Sequence, residues 1–93
     1  MAADHQFATI DFTDTFLLSL GARDFTPADR RKFVKALRLL DQDERHPSLR
    51  VHALHGDQEG SWSAAASTSL RMTFERLGGG HKRMLTCSKH YDR

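Results

Sequence analysis

Arg50, His52 and Arg71 each interrupt a run of alternating apolar residues, and His90 and Tyr91 extend the set near the C-terminus. Two arginines, two imidazoles and a phenol suit RNA cleavage by transphosphorylation. A base takes the ribose 2′-OH proton, a fixed cation stabilises the charge building on phosphorus, and an acid protonates the departing 5′-oxygen. Histidine serves either proton role because its pKa lies near the working pH. The plainer reading of Arg71 is a cross-strand ion pair with Glu75 or Glu59 on an exposed sheet, which requires no function.

These residues need a scaffold that turns them to one side. Between Leu49 and Phe74 the pattern predicts three consecutive strands. Period two sends Leu49, Val51 and Ala53 to a core face and Arg50 and His52 to the other. The same rule buries Leu70, Met72 and Phe74 and leaves Arg71, Thr73 and Glu75 outside. Trp62 alternates with Ala64 and Ala66, which favours packing over base stacking. Adjacent strands lie ~5 Å apart, so the polar residues can converge on one patch.

Upstream, Phe7 to Phe12 predicts a short strand. Thr13-Asp14-Thr15 then offers caps for a short helix with Phe16, Leu17 and Leu20 on its inner face, ended by Gly21. Thr26 caps a second helix, Pro27 takes its first position, and Asp29 suits its positive end. This helix is expected to run to about Asp43 and to bury Phe33, Ala36, Leu37 and Leu40. His46-Pro47 breaks it. Gly78-Gly79-Gly80 makes a turn into a last strand, Lys82 to Cys87. The order β-α-α-β-β-β-β predicts an α+β fold: two N-terminal helices on one face of a four- to five-stranded antiparallel sheet, with the other face partly open.

The 93 residues are enough for one core, so residues 1–93 are expected to form a single domain. The net charge of +2 is unevenly spread. Residues 1–29 hold one arginine and five aspartates, whereas residues 30–93 hold thirteen Lys/Arg and seven Asp/Glu. The basic part suggests a polyanionic partner, nucleic acid first. Arg31, Lys35 and Arg38 share a helical face that could touch phosphate, although a solvated outer face explains them as well. No apolar run can cross a bilayer, and the N-terminus lacks a basic start with an apolar stretch, so a cytoplasmic protein is expected. The single Cys87 fits a reducing compartment and a packing role. His52 and His55 point to opposite strand faces, as do Cys87 and His90, so no metal site is expected. The glycine turn lacks the following helix of a phosphate loop. No cofactor is expected.

The chain resembles the RelE/ParE superfamily of toxins from bacterial toxin–antitoxin pairs. The resemblance is carried by His46-Pro47-Ser48-Leu49-Arg50-Val51, Leu54-His55-Gly56, Trp62-Ser63-Ala64, Ser69-Leu70-Arg71-Met72-Thr73-Phe74 and Lys89-His90. It implies a twisted antiparallel sheet with two helices on one face and a concave open face. It also implies a ribosome-dependent endoribonuclease that cuts mRNA without metal, leaves a cyclic phosphate, inhibits translation and is neutralised by an antitoxin. By position, Arg71 resembles the arginine that contacts the scissile phosphate. His52 and His90 resemble proton-transfer residues, and Tyr91 resembles the aromatic of a His-Tyr ending, although many relatives have Asp after the histidine. Arg50, Arg31, Lys35, Lys82, Arg83 and Lys89 are expected to hold RNA backbone. The superfamily also contains non-catalytic inhibitors of DNA gyrase, and inactive relatives would share the same pattern.

Overall fold

The longest alternating run builds the centre of the sheet. In the computed structural model, which describes residues 7–90, strand β4 spans Leu70–Gly78 and buries Leu70, Met72 and Phe74. Arg71, Thr73 and Glu75 face the other way. Gly78, Gly79 and Gly80 all take positive φ (96°, 61° and 82°), a region side chains disfavour, and lead into strand β5, His81–Lys89. On the other flank of β4 lies β3, Trp62–Ala65, followed by β2, His52–Ala53. Strand β1, Ile10–Phe12, completes a five-stranded sheet in the order β1-β5-β4-β3-β2. Strands β2 to β5 are antiparallel, as expected of strands joined by short links. β1 runs parallel to β5, with Ile10 opposite Lys82. It has no short link to its neighbour, so nothing forces the antiparallel hand.

Met84 and Cys87 are both buried, yet they are three apart, which a regular strand forbids. A bulge resolves this. Thr73 pairs with Thr86 but Phe74 pairs with Met84, so Leu85 is passed over. Before it, Lys82 and Met84 face the core; beyond it, Cys87 and Lys89 do.

Helix α1, Asp14–Leu20, starts at Thr13, whose Oγ1 accepts the Phe16 N–H (3.1 Å) and whose hydroxyl donates to the Met84 carbonyl (2.8 Å). Only Phe16 is fully buried. Leu17, expected inside, is 52% exposed. One turn of contact with β5 covers a narrow stripe, and Leu17 lies about 100° round from Phe16. Helix α2, Pro27–Gln42, begins with both expected capping bonds: Asp29 N–H to Thr26 Oγ1 and Thr26 N–H to the Asp29 carboxylate, each 3.0 Å. Phe33, Ala36, Leu37 and Leu40 are its buried stripe. Each large side chain among them contributes about 1.5–3 kcal/mol of hydrophobic stabilisation. No helix among the described residues is long and apolar enough to cross a membrane.

The first of the three expected strands nearly disappears. Pro47–Leu49 is a 3-10 turn, closed by Ser48 N–H donating to His46 Nδ1 (3.2 Å), and Arg50 follows it with φ at 47°. Leu49 is buried from this turn rather than from a strand. Two residues of β2 remain.

At the opposite edge, charge locks β1 in place. Asp41 accepts from Ala8 N–H (3.1 Å), Thr9 N–H (2.8 Å) and the Thr9 hydroxyl (2.6 Å). Burial works to raise the Asp41 pKa, but these bonds and nearby Lys82 outweigh it and hold the carboxyl below its ordinary value. Lys82 is 4% exposed and donates to Thr9 Oγ1 (3.1 Å) and the Gly80 carbonyl (2.9 Å).

Candidate functional site

Register places the chemistry on the face away from the helices. His52 pairs with Ser63, Ser63 with Thr73, and Thr73 with Thr86, forming one row across the sheet. The hydroxyls of Thr73 and Thr86 meet there at 2.6 Å. The next outward row is Ala65, Arg71 and Ser88. The His90 N–H then bonds the Ser69 carbonyl (2.7 Å), which continues the β4–β5 ladder and turns His90 to the same face as Arg71. His52, Arg71 and His90 therefore lie along one diagonal, with Arg71 between the histidines. Strand geometry puts the Cα atoms of Arg71 and His90 roughly 8 Å apart and those of Arg71 and His52 roughly 12 Å apart. The two histidines are too far apart to touch.

The local bonds orient these groups. Arg71 Nη1 donates to the carbonyls of Ser67 (2.6 Å) and Leu70 (3.2 Å), which fixes the guanidinium at the β3–β4 turn. Glu75 is taken by Arg83 at 2.8 Å, so it does not neutralise Arg71. His52 Nδ1 lies 2.9 Å from the Arg50 carbonyl. A carbonyl only accepts, so Nδ1 carries a proton, and in the neutral form of the ring the lone pair is on Nε2. That is the tautomer of a general base.

Two clefts flank the β2 edge. The first, of about 700 Å³, lies between α2 and the end of β3 that β2 leaves uncovered. Lys32, Lys35, Arg50 and Arg71 line it above a floor that includes Ala36 and Ala66, and among the described residues no carboxylate lines it. The second, of about 470 Å³, is lined by Glu44, Arg45, His46, Arg50 and Arg76 among others. Glu44 is ion-paired with Arg76, whose guanidinium stacks 3.6 Å from the centre of the half-buried Trp62 ring.

No family model and no curated sequence matches this chain. Solved structures do. The YoeB/ParE toxin from Agrobacterium tumefaciens is similar with a TM-score of 0.70 at 20% identity, over 90% of this chain and 100% of that one. YafQ from E. coli strain BL21(DE3) gives 0.71 at 15%, over 90% and 93%. The YoeB–YefM complex from Staphylococcus aureus gives 0.60 at 19%, over 89% and 97%. The chain has the RelE/ParE toxin fold.

On this toxin fold the residues singled out in the sequence separate into groups. Arg71, His52 and His90 share the open face. Arg50 and Lys35 line the first cleft with Lys32, which the sequence pattern did not single out. Arg31 is exposed on α2, outside both clefts. Arg83 is exposed but paired with Glu75. Two expected RNA contacts are corrected. Lys82 is buried in the β1 lock. Lys89 faces the helices beyond the bulge and pairs with Asp29 at 3.0 Å. The Thr26 backbone bond, then Lys89, hold the Asp29 carboxyl below its ordinary value. Tyr91 lies outside the described residues. Cys87 packs in the core, where burial pushes its thiol pKa up. Arg45 and Arg76 line the second cleft and were not singled out in the sequence, where nothing in their spacing ties them together.

Proposed function

We propose that this chain is the toxin of a toxin–antitoxin pair and cleaves mRNA on the ribosome. The observation that carries the reading is the open-face diagonal, in which an arginine with no carboxylate partner among the described residues lies between two histidines. Arg71 holds the scissile phosphate and stabilises the charge that develops on it. His52 Nε2 takes the 2′-OH proton, and the 2′-oxygen attacks phosphorus. His90 donates a proton to the 5′-oxygen as the P–O bond breaks, leaving a 2′,3′-cyclic phosphate and a 5′-hydroxyl. An in-line displacement needs base and acid on opposite sides of phosphorus, which agrees with histidines on opposite sides of Arg71. Tyr91, outside the described residues, is assigned the role of orienting or stacking a base. The cytoplasm, where ribosomes work, is the proposed location.

A cognate antitoxin is the proposed neutraliser. Structures of this fold include the complex of the YoeB toxin with YefM and that of the YafQ toxin with DinJ. Leu17 and Leu18, 52% and 77% exposed on α1, offer apolar contact to such a chain.

Expression in cells, followed by mapping of mRNA ends, tests the reading. Cuts inside translated codons are expected, and they should vanish with Arg71→Ala and His90→Ala. Toxicity with intact mRNA and induced DNA damage would sink the nuclease and point to gyrase.

A further inference from the structure

Arg50 is the one non-glycine residue with positive φ among the described residues (47°). Left-handed backbone favours glycine, and a side chain held there is strained. The fold makes no visible use of the side chain: its guanidinium has no hydrogen-bond or ion-pair partner among the described residues, and only its backbone is bonded. Yet this residue lines both clefts. An unrelieved strain and an unpaired cation coincide on the wall that two basic cavities share.

We propose that the two clefts form one continuous track for the phosphates of a single RNA strand, bridged at Arg50. The proposal rests on the RNA-cleaving reading and extends it to the path of the substrate. Arg71 belongs to both the open-face diagonal and the first cleft. A strand held at Arg71 therefore has a cationic way around the uncovered end of β3, past Lys32 and Lys35. The apolar floor at Ala36 and Ala66 accepts the face of a base. At Arg50 the strand passes to the second cleft. Arg76 neutralises Glu44 there, and Arg45 and Arg50 remain for phosphate. His46 adds a donor. Its Nδ1 accepts the Ser48 N–H, so Nε2 carries the ring proton and can give it to a phosphate oxygen. Guanidinium groups suit phosphate oxygens by their planar pairs of donors.

The test is fluorescence anisotropy with a 2′-O-methyl RNA dodecanucleotide, which cannot be cleaved, titrated over a range of salt. Arg50→Gly should weaken binding about tenfold and lower the slope of log affinity against log salt by about 0.7. Its melting temperature should equal or exceed that of the wild type, because glycine relieves the left-handed strain. Arg50→Lys should retain most of the affinity. Arg45→Ala should weaken the dodecanucleotide and leave a tetranucleotide, which fills only the first cleft, unchanged. Wild-type affinity in Arg50→Gly, or indifference of the dodecanucleotide to Arg45, overturns the track. So does Arg50-dependent binding of a polyglutamate peptide more tightly than the RNA. Cleavage on ribosomes is assayed separately. Cleavage together with unaltered binding by Arg50→Gly sinks the track and spares the nuclease. Arg50-dependent binding without cleavage does the reverse.

Discussion

At the β1 edge, Asp41 accepts three hydrogen bonds from Ala8 and Thr9, and Lys82 is buried with its ammonium bonded to Thr9 and Gly80. At the β2 edge, two residues of strand remain, Arg50 sits in a strained conformation, and Lys32, Lys35, Arg50 and Arg71 line a cleft with no carboxylate among the described residues. Both edges gather charge beside α2. In one, Asp41 and Lys82 both find hydrogen-bond partners in the chain, and the strand beside them runs parallel at the rim. In the other, Arg71 is held by two turn carbonyls, and the cations lining the cleft have no carboxylate partner among the described residues. A polar group bonded within the chain contributes to stability; a charged one facing solvent is available to steer and recognise a ligand of opposite charge.

Substitutions at the two edges should therefore separate activity from stability. The largest effect is expected for Arg71→Ala. In the proposed cleavage Arg71 stabilises the transition state, so its removal should cut ribosome-dependent mRNA cleavage by about 10²–10³-fold. Its two bonds to turn carbonyls contribute little, so urea unfolding should show a loss of no more than about 1 kcal/mol. Asp41→Ala should do the opposite. Three lost hydrogen bonds and the loss of the carboxylate near the buried Lys82 should lower unfolding free energy by about 2–3 kcal/mol, with cleavage intact well below the new midpoint. If the two variants exchanged behaviours, the contrast between the edges would fail.

Acid should expose the same difference. The folded Asp41 and Asp29 carboxyls both titrate below their unfolded values. Their contribution is thus fully present above the unfolded pKa of about 4 and disappears as pH falls through the folded values. Melting temperature measured against pH should be steady above about pH 5 and decline below about pH 4. Asp41→Asn should flatten the decline, whereas Arg71→Ala should leave it unchanged. The smallest effect is a gain: Arg50→Gly should add about 1 kcal/mol in chemical denaturation while binding weakens, since strain is relieved as a cation is lost.

Much of the scaffold was legible in short stretches. Thr26-Pro27-Ala28-Asp29 marked the start of α2 because a cap, a proline and a first-turn carboxylate act within one turn. Leu70 to Phe74 gave a central strand because alternation is a local rule. The 3-10 turn at Pro47 was hidden, because a buried Leu49 reads alike in a turn and in a strand. The clefts were hidden too, since Lys32, Arg45 and Arg76 come together only through packing.

By itself, the sequence determined that Arg71 and His52 lie on faces opposite Leu70, Met72, Phe74 and Ala53, since period two follows from strand geometry alone. It did not determine the side taken by His90. Counted in regular alternation from buried Met84, His90 would face the helices and Lys89 the open surface. The bulge that skips Leu85 reverses both. It sends Lys89 to Asp29 at the start of α2, and it sets His90 diagonal to Arg71. A bulge arises when burying Met84 and Cys87 together outweighs regular pairing with β4. That balance is a property of the packed core, which only the tertiary structure decides.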